Sequence, residues 1–235
     1  MDFIQPPPQR WQSAIIDLDG TMVDTLGDFD VALNRMLTEL GRPALERTTI
    51  EHMVGKGSEH LIHSALVHGG LGAEQASAQL PMAYEHYQRH YLSINGAHSA
   101  VYPGVLEGLA GLRARGLRLA CLTNKPLAFA RPLLQAKGLD GFFECVFGGD
   151  SFERKKPDPL PLLKTCEALG SAPAQTLMVG DSQNDGLAAR AAGCPVALVT
   201  YGYNHGEPIE GAPHDRLLDS LADLLLPDAG SGLAH

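Results

Sequence analysis

The sequence predicts an α/β fold: a parallel sheet with helices on both faces, interrupted early by an all-α insert. Three observations predict it. Short apolar runs end in carboxylates or hydroxyls, and beyond Tyr102-Pro103-Gly104 they alternate with helix-length segments. The stretch between, roughly residues 23 to 97, shows only helical periodicity. A length of 235 residues accommodates one sizeable core and a smaller inserted domain.

Taken in order, Ser13 to Asp19 reads as a buried strand, with Ala14, Ile15, Ile16 and Leu18 apolar and carboxylates only at its end. Leu33, Met36, Leu37 and Leu40 then fall at helical spacing, and Gly41 stops that helix. A second helix carries Leu61, Ile62, Ala65 and Leu66 and ends at Gly69-Gly70; a third presents Tyr84, Tyr87 and Tyr91 on one side. After the Tyr-Pro-Gly turn, a helix through Leu109 and Leu112 ends at Gly116, and a strand covers Leu117 to Thr123. A helix from about Leu127 to Lys137, strand Cys145 to Phe147 and helix Leu160 to Leu169 come next. Strand Thr176 to Gly180, helix Asn184 to Ala192 and strand Pro195 to Thr200 follow, with a last helix expected near Leu217 to Leu225. Met1 to Arg10 is expected to form a loose tail, and Asp228 to His235 a frayed end.

Composition narrows the function classes. Hydrophobic residues make up 44% and charged residues 19%, as in ordinary globular proteins, so a packed core is expected. The net charge of −9 offers no broad basic surface to nucleic acid or to an anionic membrane, so any bound phosphate must be held by local groups. No apolar run reaches the roughly 18 residues of a membrane span, and the first ten residues lack the pattern of a signal peptide. Cys121, Cys145, Cys166 and Cys194 form no CxxC pair, which predicts reduced thiols in a cytoplasmic protein rather than a zinc or redox site. His60 with His63, and His86 with His90, have metal-compatible helical spacings, but no nearby Glu or Cys completes a set.

In sheets of this kind ligands bind beyond the carboxyl ends of the strands. Four polar groups stand there: Asp17-Leu-Asp19-Gly20-Thr21, Thr123-Asn124-Lys125, Lys155-Lys156-Pro157-Asp158-Pro159, and Gly180-Asp181-Ser182-Gln183-Asn184-Asp185. Singly, each could be a turn or a helix cap. In this order and strand context, the four resemble the motifs of the haloacid dehalogenase superfamily across nearly the whole chain. The resemblance implies a discontinuous Rossmann-like core, 1–22 and 98–235, with a type-one helical cap over 23–97.

The implied chemistry suits the residues. A phosphate monoester is surrounded by negative charge, so its cleavage needs positioning and charge neutralisation. Asp17 would be the nucleophile, forming an aspartyl phosphate. Asp19, two residues on and on the same side if the strand continues, would protonate the leaving group and later activate water. The nearness of the two carboxylates would raise one pKa. Thr123, with backbone N–H groups near Asn124, would hold a phosphoryl oxygen, and Lys156 would balance the charge. The resemblance further implies Mg²⁺ on Asp17, Asp181 and the backbone carbonyl of Asp19, with Asp185 one water further out. Thr21 and Asn124 are expected against the substrate, with Gly55 and Lys56 of the insert.

Dehalogenases and phosphonate-cleaving members lack the aspartate two residues after the nucleophile; Asp19 therefore points to phosphate transfer. Mutases commonly follow it with Gly-Val, and Gly20-Thr21 looks more like a phosphatase. Several stretches resemble bacterial phosphoglycolate phosphatases: Val54-Gly55-Lys56-Gly57, Thr123 to Pro126, Gly148-Gly149-Asp150, Lys155 to Pro161 and Gly202 to Gly206. The implied substrate is 2-phosphoglycolate, whose carboxylate Lys56 could pair; a solvated lysine in a glycine hinge is the plain alternative. A sugar phosphatase, a phosphosugar mutase and a catalytically retired binding module are the rival readings. The expected partner is a small phosphorylated metabolite, and the state a monomer or homodimer.

Overall fold

A computed structural model of the chain describes residues 11–226; the expected terminal tails lie outside them. Strand β1 (Ser13–Ile16) is buried on both faces and central, because its side chains serve two cores. Ala14 and Ile16 point into one apolar cluster and Ile15 into another. Around it, β4 (Arg118–Leu122), β5 (Cys145–Phe147), β6 (Thr176–Gly180), β7 (Val196–Val199) and β8 (Arg216–Leu218) form a sheet with order β5-β4-β1-β6-β7-β8. Every pairing is parallel, with Ile16 opposite Cys121 on one side and Val179 on the other. Helices α5 (Val105–Ala114) and α6 (Leu127–Ala136) supply Leu109, Leu112, Leu133 and Leu134 to one face. Helices α7 (Leu160–Leu169) and α8 (Gln183–Ala192) cover the other with Leu162, Cys166, Ala188 and Ala189.

The insert holds α1 (Leu26–Glu39), a single-turn α2 (Arg47–Glu51), α3 (Ser58–His68) and α4 (Ala73–Ile94). Leu33, Met36, Leu37, Ile62, Leu66, Tyr87 and Tyr91 close a separate cluster, which takes in Phe129 and Tyr203 from outside the insert. Among the described residues, no helix is long and apolar enough to cross a membrane.

Three expectations need correction. Strand β1 stops at Ile16; Asp19 makes an isolated bridge to Val23, and the chain turns over Gly20 to Met22 rather than running on extended. Val23 and Asp24, expected to be helical, form β2 (Val23–Asp24) and pair antiparallel with β3 (Ala100–Val101). A two-residue strand has no period to read, and its partner lies on the far side of the insert. The last helix is instead β8 plus a 3₁₀ turn over Leu221–Leu225. The open edge of β7 takes up the backbone of Arg216 to Leu218, and Ser220 caps the turn by accepting from the Ala222 N–H at 3.2 Å.

Candidate active site

The strand-end groups converge because the strands are parallel and their carboxyl ends share one edge. Asp17 continues the ladder, its N–H donating to the Val179 carbonyl at 2.9 Å. Thr123 does the same beyond β4, donating to the Phe147 carbonyl at 3.1 Å. Asp181 follows β6, and Asp185 stands in the first turn of α8.

Lys156 draws the acidic residues together. Its Nζ lies 3.0 Å from Asp17 Oδ2 and 2.7 Å from Asp185 Oδ1, and donates to the Leu122 carbonyl at 2.9 Å. Burial opposes the ammonium, but the charges of Asp17 and Asp185 outweigh it and push its pKa up. Burial pushes the Asp17 carboxyl up to about 7; Lys156 opposes this, while the charges of Asp185 and Asp19 add to it. Asp181 is pushed well up, by burial first and then by the charges of Asp185 and Asp17. Asp17, Asp181 and Asp185 each place a carboxylate oxygen within 4.8 Å of the others. Three crowded acidic groups of this kind, short of positive charge and offering hard oxygen donors, fit a divalent cation such as Mg²⁺.

The partners of these carboxylates define their orientation. Asp181 Oδ1 accepts from the Thr21 hydroxyl at 3.0 Å and Oδ2 from the Tyr203 N–H at 2.8 Å. Asp185 Oδ2 accepts from the Ser182 N–H at 3.2 Å and its hydroxyl at 3.0 Å. Gly20 turns the chain at a φ of +80°, and a Cβ there would strike the Asp181 carboxylate.

Asp19 departs from the expected geometry. With β1 ended, its carboxylate turns to Lys125, whose Nζ lies 2.9 Å from Oδ1 and 3.1 Å from Oδ2. Its side chain is thus outside the acidic cluster, which leaves the backbone carbonyl as the group it could offer a cation. Lys125 is the functional candidate missed by sequence reasoning, although it stands inside the quoted Thr123-Asn124-Lys125 group. Nothing local signals that a lysine three residues past a strand points inward.

Asp17, Asp19, Thr123, Asn124, Asp181 and Gly55 all line one cavity. Thr21 does not: it is fully buried behind Asp181. Lys56 also stands apart, exposed on its loop and absent from the lining. The Asn124 side-chain amide donates to the Gly55 carbonyl at 3.1 Å and the Lys156 carbonyl at 2.9 Å, which ties the insert loop to the lysine loop. Tyr203, Asn204 and His205 complete the rim. Away from the site, Glu39 on α1 pairs with both His86 and His90, and Arg89 shares the oxygen that meets His86.

Residues 14–199 match the family model described as haloacid dehalogenase-like hydrolase. The chain is 45% identical over 219 residues to a phosphoglycolate phosphatase of Thiobacillus denitrificans, covering 93% of this chain and 96% of that protein. It is 47% identical over 214 residues to one of Nitrosospira multiformis, covering 91% and 94%. Among solved structures, one described as a predicted phosphoglycolate phosphatase from Haemophilus somnus superposes with a TM-score of 0.87 at 34% identity, covering 93% of this chain and 98% of that one.

Proposed function

The chain belongs to the haloacid dehalogenase-like hydrolases, and we propose that it is a phosphatase whose substrate is 2-phosphoglycolate. The observation that carries the reading is the meeting of Asp17, Asp181 and Asp185, with buried Lys156 paired to Asp17 and Asp185, beside a cavity that Asp19 and Thr123 also line. The substrate's name comes from the relatives, whose similarity extends over most of the chain.

In this reading an Asp17 oxygen attacks phosphorus and the ester P–O bond breaks, giving an aspartyl phosphate and an alkoxide. Asp19 gives the alkoxide its proton, then takes one from the water that splits the phosphoryl group from Asp17. Lys156 offsets the charge on Asp17, and Thr123 holds a phosphoryl oxygen. Asp17, Asp181, Asp185 and the Asp19 carbonyl would hold Mg²⁺, which when bound neutralises phosphoryl charge. Residues 23–97 act as the cap, with Val54, Gly55 and Gly57 closing the cavity and excluding water.

Phosphate release in Mg²⁺ across a set of monoesters tests this. We expect 2-phosphoglycolate to give the highest kcat/KM, and Asp17→Asn to lose on the order of 10⁴-fold or more. Release from no monoester would sink the phosphatase reading. Equal turnover of sugar phosphates would sink only the substrate.

A further inference from the structure

Among the described residues, Lys125 is the one lysine or arginine that lines the cavity, and the reaction above gives it no task. Lys156 is engaged by Asp17 and Asp185, while Lys56 and Lys155 stand outside the lining. A lysine that is only 4% exposed is costly to bury unless its ammonium is paired. Asp19 supplies one partner, at 2.9 and 3.1 Å. The rings of Phe29 and Tyr91, carried in by α1 and α4, supply another, with centroids 4.5 and 4.7 Å from Nζ. The loop beneath is held as well: the Lys125 N–H donates to Thr123 Oγ1 at 3.2 Å, and its carbonyl accepts from Gly149 at 2.9 Å. The ammonium is therefore a fixed carboxylate-binding point, on the same loop as the residue that would hold the phosphoryl group.

We propose that Lys125 determines leaving-group specificity by binding the carboxylate of a phosphorylated 2-hydroxy acid, which takes the place of Asp19. The proposal rests on the phosphatase reading. Lys125 holds both Asp19 oxygens, at 2.9 and 3.1 Å, so Asp19 must leave Lys125 before it can turn to the ester oxygen. In 2-phosphoglycolate the carboxylate carbon sits two bonds from that oxygen, roughly 2.5 Å away, and so in the neighbourhood where Asp19 must act. The substrate carboxylate replaces the aspartate like for like on Lys125, without leaving the cation unpaired, and Asp19 is freed. A neutral leaving group offers no replacement, so Asp19 stays on Lys125 and does not turn to the ester oxygen. Among the described residues, the cap side of the cavity supplies no competing cation: Phe29, Val54, Gly55, Gly57, Ser58 and Leu61 form it.

The test compares 2-phosphoglycolate with 2-hydroxyethyl phosphate, which keeps the two-carbon chain and replaces the carboxylate by a neutral group. Lys125→Met should lower kcat/KM for the acid about 100-fold more than for the neutral ester. Lys125→Arg should recover part of the preference. Equal losses on the two esters would overturn the proposal and leave Lys125 a positioning residue for Asp19. Release by the wild type from neither ester would overturn the phosphatase reading as well. If Lys125→Met does not fold, product inhibition of the wild type on 2-hydroxyethyl phosphate decides. Inhibition by glycolate but not by ethylene glycol supports the proposal; equal or absent inhibition overturns it.

Discussion

At Lys156 the ammonium lies between Asp17 at 3.0 Å and Asp185 at 2.7 Å, with its side chain 2% exposed. Removing one member of a buried ionic group strands the others, at a cost of about 3–5 kcal/mol. Lys156→Met should therefore destabilise the metal-free protein by about that amount in urea titration. A loss below about 1 kcal/mol would show that the carboxylates relieve themselves by taking up protons. The choice of Lys156 over Lys155 is readable in the sequence from the Lys-Pro-Asp-Pro run. The mate of Asp19 is not, because Lys125 lies 106 residues away and meets it only once the sheet has formed.

The loop between α2 and α3 shows what an element adds. The Gly55 carbonyl accepts from the Asn124 amide at 3.1 Å and the Asn184 amide at 3.2 Å, so two core side chains grip one loop carbonyl. The Asn184 amide also meets His205 Nε2 at 3.2 Å, a contact in which an amide donor needs an unprotonated ring nitrogen. Burial lowers the His205 pKa from its ordinary 6.5; Lys56 and His60 push the same way, Val54 and Asp185 the other. A lowered folded value means that the stabilisation is complete above about 6.5 and is lost as pH falls through that lower value. KM should accordingly rise as pH drops from 7 towards about 5, and His205→Asn should flatten that limb. A wild-type KM that stays level over this range would refute the coupling. The glycine-rich stretch Val54 to Gly57 is visible in the sequence as a hinge candidate. The grip on its carbonyl is not, since Asn184 and His205 belong to other parts of the chain.

Across the whole molecule, Tyr203 joins sheet, acidic cluster and insert. Its N–H donates to Asp181, its hydroxyl accepts from the Thr25 N–H at 2.8 Å and the Leu26 N–H at 3.1 Å, and it donates to Asp24 at 2.7 Å. The second passage of chain between sheet and insert is held similarly, with Asp28 accepting from Gly96 at 2.9 Å and His98 at 2.8 Å. Tyr203→Phe would leave two buried N–H groups without this acceptor, so we expect a loss of about 1–3 kcal/mol. Amide exchange at Thr25 and Leu26 should accelerate. Unchanged exchange there would mean that Tyr203 does not hold the passage.

The order of strands and helices, the strand-end positions of Asp17, Thr123 and Asp181, and the placing of Lys156 in the segment after β5 follow from local patterns. Apolar runs and helical spacing act over a few residues, and a parallel sheet brings its carboxyl ends to one edge. The directions of Asp19, Thr21 and Lys56, and the strand in place of the last helix, were decided by tertiary structure. A turn aims its side chains, and a sheet edge recruits its neighbour, according to which distant groups are packed beside them. That information lies in the folded arrangement, not in any short window of the chain.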